Sequence, residues 1–345
     1  MGGRCFQPAM TDRADRAASP LGKRPSLRFV EGVNFELTYG CNLSCPHCLQ
    51  ADSRARGNTA WADPEPIRRA MIEAVRLGLT RAGINLTGGE ILRAGSPLPK
   101  LLETTSEMRV PVRLNTNGWW GQARRFQVGS QRFNTPEDLI GWLQAMGVAV
   151  LALSVDQRYE RYPELWRRNV AIIRHCERLQ QPYELVCTGL SPGEIDAAIQ
   201  ALTREVGAEL RLMAISAMER VDIGAAAGTL EQAPIADIGP LERLRQTDCA
   251  LNGFYRPFFL HVAPDGGVRS CLYAVGSGWL GNIRTQTLRE IVEGFETNPV
   301  VRFFSGASFE TTVKQIAADA DDARFPRHPC GLAAALARRL SDRQA

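Results

Sequence analysis

The apolar residues of this chain follow two alternating periods, which predict strands and helices in turn. Six segments have the composition and alternation of strands: 33–38, 82–87, 110–116, 148–155, 183–188 and 209–215. Helical spacing is found between them, at 66–79, 97–108, 136–146, 164–180 and 192–206. Strands that alternate with helices predict the α/β class, with a parallel sheet wound through right-handed crossovers.

Length and composition fit a chain of about two domains, at a prior of ~150 residues each. The apolar share of 44% is ordinary for a globular protein, and the sequence has no apolar run long enough to span a bilayer. The net charge of +4 comes from mixed signs, which makes nucleic acid an unlikely partner. Residues 1–28 predict a disordered tail without the apolar stretch of a signal peptide, so we expect a cytoplasmic protein.

Three cysteines lie in eight residues directly after the first predicted strand. Cys41, Cys45 and Cys48 have the spacing Cys-x3-Cys-x2-Cys. Nine cysteines in 345 residues are too sparse for a disulfide scaffold, and an odd number cannot all pair in disulfides. Thiolates on one short loop suit iron-sulfur clusters, copper(I) or zinc, and three ligands leave one metal position open. A structural zinc site, with His47 as a ligand, and unrelated core cysteines are the weaker alternatives.

Polar motifs follow the next three predicted strands. They are Gly88-Gly89-Glu90, Asn117, and Ser154 with Asp156. Because the carboxyl ends of parallel strands gather at one edge of a sheet, we expect these residues to lie with the cysteine loop. Adjacent glycines let a ligand approach the backbone, a carboxylate can hold an ammonium group, and Asn, Ser and Asp suit ribose hydroxyls.

With these motifs in this order, residues from about 33 to 215 resemble the radical S-adenosylmethionine (SAM) superfamily. The resemblance implies a partial (β/α)6 TIM-like barrel, for which we expect the bounds 29–215. It also implies that Cys41, Cys45 and Cys48 hold a [4Fe-4S] cluster whose fourth iron chelates SAM. The implied SAM contacts are Gly88, Gly89 and Glu90 at the methionyl amine, Asn117, Ser154 and Asp156 near ribose and carboxylate, and His47 near adenine.

In that family, reductive cleavage of SAM gives a 5'-deoxyadenosyl radical that takes a hydrogen atom from the substrate. The resemblance therefore also implies a flavodoxin- or ferredoxin-type electron donor. A hydrogen-atom donor is needed if the product is an epimer. Cys187, at the end of the fifth predicted strand, is such a donor or a packed core thiol, and the sequence favours the core thiol.

Residues 216–345 resemble the small C-terminal extension called SPASM, or its shorter form called twitch, which binds auxiliary clusters. Cys249 precedes a predicted hairpin, Cys271 closes it, and Gly281-Asn282-Ile283 follows; Cys330 comes later. The dense four-cysteine group of the full extension is missing, so at most one auxiliary iron-sulfur cluster is expected, held by Cys249, Cys271 and Cys330. The fourth ligand stays open between His328, Cys5 and a substrate atom, and a zinc site or unrelated cysteines are alternatives.

Three functions are compatible with the sequence. The favoured one is a radical SAM enzyme that modifies a peptide or small natural product by oxidation, crosslinking or epimerisation. A maturase that installs a modified residue in a partner enzyme, as the sulfatase-activating relatives do, is the second. A non-catalytic iron-sulfur redox sensor is the third.

Overall fold

The structure, a computed structural model, describes ten stretches of the chain. They are residues 30–156, 162–218, 220–221, 224–227, 232–234, 258–275, 278–298, 300–301, 324–326 and 329–342. By compactness these residues fall into two units. Unit 1 comprises residues 85–220, and unit 2 comprises residues 30–84 together with 221–342.

The strands and helices follow each other in the predicted alternation. The strands are β1 (Val30–Glu36), β2 (Ile84–Thr87), β3 (Val112–Thr116), β4 (Phe126–Val128), β5 (Gln131–Phe133), β6 (Val148–Asp156), β7 (Tyr183–Thr188), β8 (Met213–Met218), β9 (Gln232–Pro234), β10 (Phe258–Val262), β11 (Gly267–Arg269), β12 (Gly281–Asn282) and β13 (Arg324–Pro326). The helices are α1 (Ala51–Ala55), α2 (Pro64–Arg76), α3 (Leu98–Glu107), α4 (Pro136–Ala145), α5 (Pro163–Leu179), α6 (Pro192–Val206), α7 (Leu288–Glu293) and α8 (Pro329–Asp342).

In unit 1 the strands lie in the order β2-β3-β6-β7-β8. The pairs β3/β6, β6/β7 and β7/β8 are parallel. Leu114, Leu153 and Leu185 belong to the buried face of this sheet, and each is at most 1% exposed. Strand β3 alternates buried with half-buried residues, so its second face carries the polar side chains of Arg113 and Asn115.

Local sequence signals fix the helix ends of unit 1. Helix α6 begins with a capping box, in which the Ser191 hydroxyl accepts from the backbone N–H of Glu194 and the Glu194 carboxylate accepts from that of Ser191. Pro192 occupies the first turn, and Gly207 ends the helix at φ 73°. Helix α4 starts with an equivalent box formed by Thr135 and Asp138.

In unit 2 the strands lie in the order β12-β11-β10-β1. Strand β10 pairs in parallel with β1, and β10/β11 and β11/β12 are antiparallel. The predicted hairpin is thus present, and its turn is closed by hydrogen bonds from Gly266 N to Ala263 O (2.9 Å) and from Ala263 N to Gly267 O (2.8 Å). The parallel pairing of β10 with β1 is absent from the sequence predictions, since it joins segments that are distant in the chain.

The mostly parallel strands and their intervening helices confirm the predicted α/β class and are consistent with a partial TIM-like barrel. All six strands and all five helices predicted in the region of the resemblance occur, with ends shifted by a few residues. The β4/β5 hairpin and the short helix α1 were not predicted. Among the described helices, none is both long and apolar enough to cross a membrane. The domain bounds at 28 and 215 stay predictions, and residues 1–28 lie outside the described part.

Candidate functional site

The cysteine loop follows β1 and belongs to unit 2. The side chains of Cys41, Cys45 and Cys48 are partly exposed, in contrast to the fully buried Cys176. A turn is closed by the hydrogen bond from Cys48 N to Cys45 O (3.1 Å), and Leu43 N donates to the Cys41 sulfur (3.4 Å). The loop is therefore ordered through its backbone, with its three thiols reachable by a ligand.

These three thiols do not form a site for a single metal ion in the structure. In the described stretches no group of three or more His, Cys, Asp or Glu side chains is arranged to hold a metal ion. Metal binding contributes free energy to folding, and this free energy can draw the ligands of a site together. The assignment of Cys41, Cys45 and Cys48 as ligands, and of His47 as a neighbour of adenine, stays a prediction.

Glu90 follows β2 in unit 1 and is fully buried. Its carboxylate accepts hydrogen bonds from Leu92 N (2.9 Å), Asn117 N (2.8 Å) and the Thr116 hydroxyl (3.0 Å). Burial raises the pKa of Glu90 to about 7, although these three donors act in the opposite direction. Glu90 is thus a carboxyl group whose charge state changes near neutral pH.

The other predicted SAM contacts of unit 1 lie at strand ends, as expected. Asn117 follows β3, is half-buried, and is tied to Glu90 through its backbone N–H. Ser154 lies near the end of β6 with an exposed side chain, and its carbonyl accepts from Asn169 Nδ2 (3.1 Å). Asp156 is the last residue of β6, and its side chain lies outside the description.

Two glycines separate β2 from Glu90. Gly88 has φ 147°, a value that favours glycine, and both Gly88 and Gly89 are half-buried. The backbone is therefore open to close approach by a ligand at this point. Contact of either glycine with SAM stays a prediction.

Sequence reasoning missed Thr116, which organises this strand end. Its hydroxyl donates to Glu90 and accepts from Gly118 N (3.2 Å) and Trp120 Nε1 (3.1 Å). Trp120 is fully buried, so Thr116 links Glu90 to the core. The position of a lone threonine at a strand end carries no signal that could have revealed this role.

A polar network on one face of the unit 1 sheet was also missed. The Arg113 guanidinium donates to Glu184 (2.5 Å), Asn115 (2.5 Å) and Asn85 (3.1 Å). Arg113 lies on β3 and Glu184 on β7, with β6 between them. Ala152 of β6 pairs with Asn115 on one side and with Glu184 on the other. Because alanine carries only a methyl group, the arginine side chain can cross β6 there.

Glu184 keeps its negative charge in this network. Burial acts to raise its pKa, but the hydrogen bonds and charge of Arg113 and a hydrogen bond from Ser216 outweigh it, so the pKa lies below its usual value. We call Asn85, Arg113, Asn115, Ser154, Glu184 and Ser216 the polar face of unit 1. It combines donors and acceptors, with opposite charges paired.

Cys187 lies one residue beyond Val186 on β7, on the face opposite to Glu184. Its side chain is 2% exposed, and its sulfur lies 3.9 Å from Leu185 O. Alternate residues of a strand point to opposite faces, so the thiol is turned away from the polar face. This placement favours the packed core thiol over the hydrogen donor, and the donor role stays a prediction without structural support.

The three cysteines of the predicted auxiliary site are only partly described. Cys271 is 5% exposed and directly follows the hairpin, Cys330 is the second residue of α8 with its side chain outside the description, and Cys249 lies outside the described residues. His328 and Cys5, the open fourth ligands, also lie outside them. The auxiliary cluster therefore stays a prediction.

A buried ion pair connects β1 to the hairpin in unit 2. Arg269 Nη2 lies 2.6 Å from Glu36 Oε1, and both side chains are at most 1% exposed. The Tyr39 hydroxyl donates to Glu36 Oε2 (3.2 Å), and Arg269 Nε donates to Cys271 O (3.0 Å). This pair fixes the start of the cysteine loop to the segment that carries Cys271.

Comparison with known proteins agrees with these motifs. The chain is 30% identical over 93 residues to the "Putative peptide biosynthesis protein YydG" of Bacillus subtilis (strain 168). The alignment covers 27% of this chain and 28% of that protein, so the chain matches little more than a quarter of the relative's length. The family model of the radical SAM superfamily matches residues 35–204, from the last residues of β1 into the last turn of α6. From the family match and the order of the motifs, residues 35–204 of this chain belong to the radical SAM superfamily.

Proposed function

We propose that this chain is an enzyme that cleaves SAM reductively. The radical formed by this cleavage takes a hydrogen atom from a peptide substrate. Cys41, Cys45 and Cys48 hold a [4Fe-4S] cluster in this proposal. The donor set fits the cluster, since three partly exposed thiols on one short loop are soft ligands for iron and leave one iron open. When bound, the reduced cluster and SAM supply the one-electron chemistry that starts hydrogen abstraction.

The observation that carries this proposal is the buried carboxylate of Glu90. Its hydrogen bonds come from two backbone N–H groups and one hydroxyl, which are neutral donors. A buried carboxylate is costly unless a positive charge compensates it, and the charge of Arg93 does so only in part, since the pKa of Glu90 stays raised. The methionyl ammonium of SAM provides such a charge, and Gly88 and Gly89 let it approach. In this proposal Asn117, Ser154 and Asp156 contact the ribose and carboxylate of SAM, and His47 lies near its adenine.

We expect Glu90→Gln to weaken SAM binding by about 10- to 100-fold. A charged hydrogen bond contributes ~1.5–3 kcal/mol, and glutamine keeps the shape of the side chain while losing its charge. Equilibrium dialysis of SAM against anaerobically reconstituted protein measures the effect. Glu103→Gln, on the exposed surface of α3, is the matched control and should bind as the wild type does. Equal affinity of both variants would remove Glu90 from the SAM site.

The same site predicts a pH dependence. The pKa of about 7 means that Glu90 is largely protonated at pH 6 and loses its attraction for an ammonium group. An α-amino group with a pKa of ~7.7–8.0 stays mostly protonated up to pH 7, so the carboxyl is the group that changes most between pH 6 and 7. SAM affinity of the wild type should therefore rise between pH 6 and 7. In Glu90→Gln the profile should be flat over that range.

Peptide substrates are supported by two observations. The relative named above is described as a peptide biosynthesis protein, and the polar face of unit 1 offers donors and acceptors that suit the N–H and C=O groups of a peptide. Incubation with a short peptide encoded beside the gene tests this by mass spectrometry. Loss of two hydrogen atoms indicates oxidation or crosslinking, and a D-amino acid found after hydrolysis indicates epimerisation. A peptide unchanged in both respects contradicts the substrate class.

Two further parts of the proposal concern partners and the second metal centre. A flavodoxin- or ferredoxin-type protein is proposed as the electron donor, and Cys249, Cys271 and Cys330 as ligands of one auxiliary cluster. Epimerisation is the one reaction in which Cys187 would matter. Full turnover by Cys187→Ala would eliminate its donor role.

A further inference from the structure

The last cysteine of the metal-binding loop is held by a segment outside the family match. Ala225 N donates to Cys48 O (3.0 Å), and the same carbonyl accepts from Ala51 N (3.3 Å). Cys48 N in turn donates to Cys45 O. The backbone of Cys48 is thus fixed on both sides, once within the loop and once by residue 225, which lies beyond the matched residues 35–204.

The residue before Ala225 can only be glycine without disturbing the loop. Gly224 has φ 61°, in the left-handed region. A Cβ atom at this position would lie 2.3 Å from Cys48 O and 2.8 Å from Leu49 O. Both neighbours are backbone atoms, so no side-chain rotation could relieve the clash. We call Gly224 and Ala225 the clamp.

The two ends of the loop are held in the same unit. Tyr39, before the first cysteine, packs in a small apolar cluster with Ala263 and Val275, and Leu49, after the last cysteine, packs against that cluster. Ala263 and Val275 come from the hairpin region that also carries Cys271. The clamp and these apolar contacts therefore hold residues 39–49 together. The clamp contacts Cys48 directly, through the backbone.

We propose that Gly224 and Ala225 are positioning residues for the metal centre at Cys41, Cys45 and Cys48. They act through the Cys48 backbone and make no contact with SAM or substrate. The proposal rests on the function proposed above, because it requires a cluster at these cysteines. It extends that function by assigning part of the cluster site to residues beyond the family domain.

The expected consequence follows from the geometry of metal ligands. Relief of a 2.3 Å contact needs a shift of the loop by several tenths of an ångström or more, and productive sites tolerate only ~0.5 Å. Residues that orient ligands from outside the coordination shell typically change metal affinity by ~10–100-fold. Loss of the clamp should therefore loosen the cluster before it affects the rest of unit 2.

The test compares three glycine variants in the full chain. Gly224→Ala has both the left-handed backbone and the clash. Gly207→Ala shares a similar φ of 73° with nothing within 4 Å, and Gly294→Ala, in unit 2, has ordinary φ and open space. After anaerobic reconstitution, the readouts are the rate of iron release to a chelator and the electron paramagnetic resonance signal that changes when SAM is added.

We expect Gly224→Ala to release the SAM-responsive cluster ~10–100-fold faster than the wild type. The two control variants should stay within about twofold, since neither introduces a contact with the loop. Wild-type release rates and an unchanged SAM-responsive signal in Gly224→Ala would overturn the proposal. Equal losses in Gly207→Ala would also overturn it, because the effect would then come from backbone strain alone.

A second measurement needs no variant and covers the case in which Gly224→Ala fails to fold. Because coupling between two sites is reciprocal, the bound cluster should stabilise the clamp as the clamp stabilises the cluster. Amide hydrogen exchange of the wild type should be slower in peptides that cover residues 224–227 after reconstitution. If the protein has bound its cluster and exchange in these peptides is unchanged, the result contradicts the role of the clamp and leaves the proposed function intact. A wild type that binds no cluster contradicts the proposed function and the clamp together.

Discussion

The triple variant Cys41→Ala, Cys45→Ala and Cys48→Ala is expected to lose SAM cleavage down to background. The three thiols are the only metal ligands proposed for the cluster that meets SAM, and alanine offers no lone pair to iron. Cys176→Ala is the matched control, because that thiol is fully buried in α5 and burial raises its pKa far above the usual range. The effect is measured as the amount of 5'-deoxyadenosine formed, which is quantified by chromatography.

The same variant reports on the second metal centre through its iron content. If Cys249, Cys271 and Cys330 hold an auxiliary cluster, the triple variant should retain about half of the iron and sulfide of the wild type. Complete loss of iron would contradict the auxiliary site. Full retention of SAM cleavage would contradict the assignment of the cysteine loop itself.

Arg269→Ala is expected to lower the free energy of unfolding by about 3–5 kcal/mol. The change leaves the Glu36 carboxylate buried without its partner, and an uncompensated charge in the interior is strongly destabilising. It also removes the hydrogen bond to Cys271 O, which ties the end of the hairpin. Urea unfolding followed by circular dichroism measures the loss.

Arg68→Ala provides the matched control for Arg269→Ala within unit 2. Arg68 forms a salt bridge of 2.7 Å with Glu65, similar in length to the buried pair, but both side chains are more than a third exposed. Exposed pairs contribute ~0.2–1 kcal/mol, so this variant should unfold nearly as the wild type does. A loss below about 1 kcal/mol in Arg269→Ala would show that water reaches Glu36.

The periodic parts of the fold could be predicted from the sequence because their signals are local. Alternation in segments such as 183–188, and boundary residues such as Pro192 and Gly207, mark strands and helices without reference to distant residues. The pairing of β10 with β1 has no such signal, since it depends on which distant edges meet in the folded chain. The β4/β5 hairpin was missed because its strands of three residues are too short to show a period.

The residues of the candidate site were predicted more completely than their interactions. The rule that ligands gather at the carboxyl ends of parallel strands placed Glu90 and Asn117 at neighbouring strand ends, and the structure joins them by a hydrogen bond. Neither the role of Thr116 nor the clamp at Gly224 could be predicted. Both depend on distances between segments far apart in sequence, and one glycine or threonine looks like any other in a sequence.

The central claim is that this chain cleaves SAM at the cysteine loop. The most direct measurement incubates anaerobically reconstituted protein with SAM and dithionite and quantifies 5'-deoxyadenosine, with the triple cysteine variant as the blank. We predict 5'-deoxyadenosine from the wild type and Cys176→Ala, and none above background from the triple variant. Absence of 5'-deoxyadenosine from a wild-type protein that carries its cluster and binds SAM would contradict the account.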